Sequence, residues 1–292
     1  MLKKHREPFI QPVHDPLLKN VELHIKREDV IHPYISGNKW YKLKYNVQEA
    51  HRQGHDTLLT FGGAYSNHIH ATSMAAKEAG LRSIGIIRGE ELENKPLNKT
   101  LAFARQQGMQ LEFIDRSAYR EKNTNEFQQF LRQRFGQFYL VPEGGTNNLA
   151  VTGCMEIVNE EARRYDFVCC SVGTGGTVAG LIKGMQGMGH VLGFAALKGD
   201  FLKDEVKKLL QNHGGTAPTN WDIITHYHFG GYAKKDPELQ EFMEAFELAH
   251  SIPLDPIYTG KLLYGLFDLA QKGFFPRGSR VLAVHSGGLQ GK

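Results

Sequence analysis

The chain has 292 residues, 41% hydrophobic and 23% charged, enough for a sizeable core and for two lobes of ordinary size. A net charge of +4 with no long Lys/Arg run gives no electrostatic footprint for nucleic acid. No apolar stretch approaches the ~20 residues that cross a bilayer, and the charged, proline-broken start MLKKHREPFIQPV lacks the apolar segment of a secretory signal, so a cytoplasmic protein without membrane contact is expected.

In chain order, VELHIKRE from Val21 reads as a strand, 39–53 as a helix, TLLTF from Thr57 as a strand, and 67–79 as a helix closed by Gly80. SIGIIR from Ser83, a helix over 96–107, LEFI from Leu111, a helix over 124–134, FYLV from Phe138 and a helix over 148–164 follow. Beyond them lie DFVCCSV, a helix after Gly176, VLGFAAL, helices over 201–212, 237–249 and 260–272, and RVLAVHS. This alternation predicts an α/β protein with parallel sheets covered by helices. Cys154, Cys169 and Cys170 have no metal-ligand spacing, so neither a metal nor a disulfide framework is expected. The adjacent pair should face opposite sides of its strand.

Ligands of such sheets gather where strands end and helices begin, and several loops there carry small polar residues. In YISGNKWYKLKYN from Tyr34, Lys39 follows a Gly-Asn turn; a solvated helix lysine is the ordinary reading of it. In TFGGAYSNHIH from Thr60, the chain passes Gly62-Gly63 into Ser66-Asn67 and a helix. That start either is capped by Ser66 or Asn67 or offers its N–H groups to an anion such as a carboxylate. In SVGTGGTVAG from Ser171, Gly173, Gly175 and Gly176 with Thr174 and Thr177 suit a cup for one phosphate, a structural turn being the alternative. Val178 stands where a dinucleotide fingerprint needs glycine, and no Gly-Lys-Ser/Thr follows for a Walker loop. Thr259 precedes an amphipathic helix and reads as its cap; Ser286 reads as a turn serine.

Together, a lysine, a carboxylate-binding helix start and a one-phosphate cup suit pyridoxal 5'-phosphate, held as a Schiff base to Lys39. The amine must be neutral to react, and an apolar wall such as Trp40 or Tyr41 is expected to keep it so.

The ordered motifs SGNKWYKL, TFGGAYSNH, PEGGTN, SVGTGGTVAG, DPIYTGK and HSGG resemble the pyridoxal-phosphate family of 1-aminocyclopropane-1-carboxylate deaminase and D-cysteine desulfhydrase. The resemblance implies the two-domain tryptophan synthase β-like fold (fold type II). A larger cofactor-binding domain over 1–42 and 144–292 would carry a smaller inserted α/β domain over 43–143, in a homodimer. It implies Lys39 as Schiff-base lysine and base, Asn67 on the phenolic oxygen, and Ser66, Asn67 and His68 on the substrate carboxylate. Gly173, Thr174, Gly175, Gly176 and Thr177 would hold the phosphate, with Tyr258 and Tyr232 near the reacting carbons.

Ring-opening members resemble one another in glutamate and leucine at the positions of Thr259 and Ser286. The hydroxyls of this chain would leave the pyridine nitrogen unprotonated, a weaker electron sink. The resemblance therefore implies a deaminating lyase on a small amino acid, of D-cysteine desulfhydrase type, with cyclopropane opening the alternative and a non-catalytic cofactor-binding protein a third possibility.

Overall fold

The computed structural model describes residues 2–291 except 216, 217, 232, 233 and 235. Its elements are β1 Ile10–Val13, β2 Glu22–Arg27, α1 Asn38–Arg52, β3 Thr57–Gly63, α2 Asn67–Glu78, β4 Arg82–Arg88, α3 Lys99–Gln106, β5 Met109–Ile114, α4 Arg116–Arg120 and α5 Asn125–Phe135. They continue with β6 Tyr139–Val141, α6 Asn148–Met155, β7 Phe167–Val172, α7 Gly176–Met185, β8 His190–Ala195, α8 Phe201–His213, β9 Trp221–Ile224, α9 Pro237–His250, α10 Thr259–Gln271 and β10 Arg280–His285.

The strands form two sheets. Six follow the order β1-β2-β10-β7-β8-β9 and four the order β5-β4-β3-β6; every pairing is parallel except β1 with β2. The smaller sheet takes all its strands from 57–141, whereas the larger is built from both sides of that segment.

One apolar core runs between the sheets, joining Leu58 and Val141 of the smaller to Val168, Val172 and Leu282 of the larger through Leu43, Val47, Val151 and Leu181 of the intervening helices. On the far side of the larger sheet, Cys169, Leu192, Val281 and Ala283 pack on α9 and α10. Cys169 and Cys170 thus enter different cores, as strand alternation requires.

Three sequence expectations change. The helix over 148–164 ends at Met155, and a separate 3₁₀ turn forms over Ala162–Arg164. Asn159 starts that turn by accepting the Ala162 N–H at 2.9 Å, while Ile157 and Val158 turn into the core. The helix over 96–107 begins only at Lys99, because the Asn98 side chain accepts the Leu101 N–H. Strands β1 and β9, not anticipated, are the two edges of the larger sheet; they are four residues each, and β1 contains Pro12, which an edge tolerates.

Candidate active site

The loops after β2, β3, β4, β7 and β10 converge on a cavity of about 390 Å³. Lys39, Ser66, Asn67, His68, Gly173, Thr174, Gly175, Thr177, Tyr258 and Ser286 all line it. Gly176 and Thr259 are not among the lining residues, and Tyr232 lies outside the described residues.

Lys39 sits in the first turn of α1, behind Gly37 at φ +59°. A Cβ at Gly37 would come within 1.9 Å of the Ser286 carbonyl oxygen, so only glycine lets this turn meet the loop after β10. The Lys39 amine has no hydrogen-bond acceptor among the described residues. Burial, followed by the charge of Lys42, lowers its pKa to about 7. The expected wall of Trp40 and Tyr41 is not the cause. Successive helical residues point about 100° apart, and both rings enter the core while Ala71, Val172, Val178 and Leu197 supply apolar lining.

Lys42, nearly one turn further on, is bound down. Its Nζ donates to the Gly144 carbonyl and to Thr146 Oγ1, each at 3.0 Å, and stands 3.5 Å from Thr174 Oγ1. The two threonine hydroxyls are 2.5 Å apart. Beside them, Gly175 at φ +83° is the N-cap residue of α7, and Thr177 accepts the Asn38 amide at 2.7 Å. A Cβ at Gly176 would meet Thr146 at 3.0 Å and the Lys42 amine at 3.2 Å. Gly176 therefore keeps the floor open without lining the cavity itself. A lysine, two hydroxyls and a helix N-terminus make a floor that could hold a phosphate group.

The start of α2 is the third wall. Ser66 caps it, its Oγ accepting the N–H groups of His68 at 3.2 Å and Ile69 at 3.3 Å; the capping reading of this turn holds, in a residue that also lines the cavity. The Asn67 side-chain oxygen accepts from Gln290, an arrangement that leaves Nδ2 as a donor. The His68 ring is held by Thr60 at 2.8 Å and Thr72 at 3.4 Å. Burial first, then Lys39 and Lys42, keep it neutral by pulling its pKa well below the ordinary range.

The hydroxyls of the late loops separate. Ser286 Oγ lies 3.4 Å from Ser171 Oγ in the cavity wall. The Thr259 hydroxyl instead donates to Asp255 Oδ2 at 2.8 Å and accepts the Asp255 N–H at 2.8 Å. Thr259 is the first residue of α10, whose N-cap is Tyr258 without a side-chain cap bond; the Asp255 carboxylate organises the turn before it by accepting the N–H groups of Ile257, Tyr258 and Thr259. The Tyr258 ring packs on Gly173, where a Cβ would meet it at 3.2 Å. Sequence reasoning missed Asn38, Lys42, Arg88, Glu143 and Gln290 as lining residues; Asn38, in the Gly-Asn turn, and Glu143, in the Gly-rich PEGGTN, carried a signal.

Away from the cavity, His5, His32 and Glu78 place ligand atoms within 4.8 Å of one another. His32 Nδ1 accepts the N–H groups of Tyr34 and Ile35, so Nε2 carries the proton and donates it to Glu78 at 2.8 Å. That tautomer leaves no free lone pair for a metal.

A lysine whose amine has no acceptor, a floor of a second lysine, two hydroxyls and a helix N-terminus, and a serine-capped helix start, set among loops at the ends of parallel strands, fit the pattern of a pyridoxal-phosphate enzyme of fold type II. Comparison with known proteins gives the same class. The sequence model described as "Pyridoxal-phosphate dependent enzyme" matches residues 13–287, and the chain belongs to that family, whose cofactor is pyridoxal 5'-phosphate. It is 33% identical over 288 residues to a Pyrococcus abyssi protein provisionally named 1-aminocyclopropane-1-carboxylate deaminase, covering 93% of this chain and 86% of that one. It is 32% identical to the bifunctional D-cysteine desulfhydrase/1-aminocyclopropane-1-carboxylate deaminase, mitochondrial, of Arabidopsis thaliana, covering 96% and 76%. A solved structure described as the ACC deaminase homologue superposes with a TM-score of 0.86 at 29% identity, covering 99% of this chain and 92% of that one. No helix among the described residues is long and apolar enough to cross a membrane.

Proposed function

We propose that the chain is a deaminating lyase that removes the α-proton of a small amino acid and expels its β substituent, acting as a D-cysteine desulfhydrase that yields pyruvate, ammonia and sulfide. The observation that carries this reading is the make-up of the cavity wall. Glu143 is the single carboxylate among the described lining residues, and it is engaged by the Tyr119 hydroxyl at 2.8 Å and by Lys122 at 3.4 Å. Ser171, Ser286 and Tyr258 line the wall with hydroxyls. When bound, the cofactor withdraws electrons from the substrate's α-carbon. Hydroxyls can hydrogen-bond its ring without an anion to hold a proton there, which suits proton loss more than opening of a ring that has no α-proton.

In this reading Lys39 carries the cofactor and, as a neutral amine, takes the α-proton. Lys42 and the Gly173–Thr177 turn hold the phosphate, and Gly176 keeps their floor open. Ser66 and Asn67 receive the substrate carboxylate, with Asn67 Nδ2 also serving the phenolic oxygen. Ser286 serves the ring nitrogen, and Thr259 acts through the Asp255 loop that positions Tyr258. The neutral, threonine-held ring of His68 forms the wall behind them. The smaller domain over 43–143 would meet the larger along α1, which runs unbroken through that boundary. A homodimer in a reducing cytoplasm completes the proposal, in keeping with three buried free thiols.

Product analysis tests it: purified enzyme with D-cysteine, L-cysteine, D-serine and 1-aminocyclopropane-1-carboxylate, assayed for pyruvate, 2-oxobutanoate and sulfide. Pyruvate and sulfide from D-cysteine at the highest kcat/KM are expected. Faster release of 2-oxobutanoate from the cyclopropane substrate would overturn the assignment.

A further inference from the structure

Three basic side chains line the cavity, and the proposed reaction employs only two of them. Lys39 is the reacting amine and Lys42 is bound into the floor. The third is Arg88, the last residue of β4. It pairs in register with Gly63 of β3, three residues before Ser66. Its Nη2 lies 3.7 Å from where a Gly63 Cβ would stand, so the guanidinium rests over backbone that carries no side chain. Its other contact is the Tyr119 ring, whose centroid lies 5.7 Å from the guanidinium carbon. The Tyr119 hydroxyl is already given to Glu143. Among the described residues, no carboxylate lies within ion-pair distance of Arg88. An arginine with its planar fork unpaired beside the expected carboxylate turn is suited to a second anion.

We propose that Arg88 is a specificity-determining residue that reads an anionic group on the substrate's β substituent, so that the site selects amino acids carrying a second negative charge there over neutral ones of equal size. The inference rests on the reading of Ser66 and Asn67 as the α-carboxylate site, since it assigns Arg88 to the other end of the substrate. A rival role is help in binding the α-carboxylate itself, and the experiment separates the two.

Binding to the cofactor-loaded enzyme can be followed by the change in its visible absorption, a readout that needs no turnover. Size-matched pairs, aspartate against asparagine and serine O-sulfate against O-acetylserine, are titrated in both configurations. Wild type should bind the anionic member about tenfold more tightly in at least one configuration, as a charge-assisted fork contact allows. Arg88→Gln should remove that preference and leave the neutral members unchanged, while Arg88→Lys should retain part of it. Arg88 is exposed, and a melting curve matching wild type shows that each variant is folded. Equal affinities within each pair for wild type would overturn the proposal. So would a parallel loss for both members in Arg88→Gln, which would place Arg88 on the α-carboxylate. Failure of every amino acid to yield pyruvate would instead count against the elimination reading, and the binding preference would still decide the role of Arg88.

Discussion

Lys39 and Lys42 share one helix and one cavity, Lys39 half-buried in its wall and Lys42 buried, yet their surroundings differ in kind. Around Lys42 the fold supplies a carbonyl and two hydroxyls; around Lys39 it supplies apolar side chains and the neighbouring charge of Lys42 itself. Burial pulls the Lys42 pKa down as well, but its carbonyl and hydroxyl acceptors favour the charged form, the form that would hold an anion. A lysine without such acceptors is a poised nucleophile. The same helical turn thus sets two chemistries: three residues on, the stems lie about 60° apart on one face, and only Lys42 reaches the carbonyl and hydroxyls of the Gly144–Thr146 and Thr174 loops.

The largest expected effect comes from removing the poised member. Lys39→Ala should abolish the covalent cofactor linkage and lower turnover at least about 10³-fold, within the range for loss of a general base, as measured by visible absorption and kcat. Lys42→Ala should leave the linkage and kcat at saturating cofactor near wild type while weakening cofactor affinity roughly tenfold to a hundredfold, as loss of hydrogen bonds to a charged group implies. A Lys42→Ala enzyme without covalent cofactor would reverse the comparison.

The floor can be probed with a smaller change. Gly176→Ala places a methyl 3.0 Å from Thr146 and 3.2 Å from the Lys42 amine, and should weaken cofactor affinity about tenfold in a protein that melts as wild type does. Gly175→Ala should act differently. At φ +83° its side chain strains the backbone, at a cost of about 1 kcal/mol, so the melting temperature falls. Unchanged cofactor affinity in Gly176→Ala would reject the floor as the phosphate site.

The gentlest probe is pH. An amine with its pKa lowered to about 7 is protonated and unreactive below that value and free above it. Capture of pyridoxal 5'-phosphate by the apoenzyme should therefore rise with pH through about 7 and then level off, far below the range of an ordinary lysine. Because Lys42 contributes to the lowering, Lys42→Ala should move the midpoint upward. A wild-type midpoint above pH 9 would mean that burial does not tune Lys39.

Much of this site was legible in the sequence because its parts are local. A Gly-Asn turn before a lysine, glycines before Ser66 and the GTGGT turn each state their geometry within a few residues. Thr259 misled for the same reason: a hydroxyl at a helix start is read as the cap, yet Thr259 is already inside the helix and its own N–H is accepted by Asp255 four residues earlier. Lys42, Arg88 and Gln290 carried no signal, since their place in the cavity is fixed by strand register and by segments distant in the chain. In the fold, the parallel strands of the sheet interiors announced themselves as apolar runs. The edge strands β1 and β9 did not, being short and interrupted by Pro12 and Asp222.

The division of labour between the two lysines is tested most directly by reducing the cofactor-loaded enzyme with borohydride, digesting it and locating the pyridoxyl-lysine by peptide mass. The account predicts the modification on Lys39 alone. Its appearance on Lys42, with Lys39 unmodified, would contradict it.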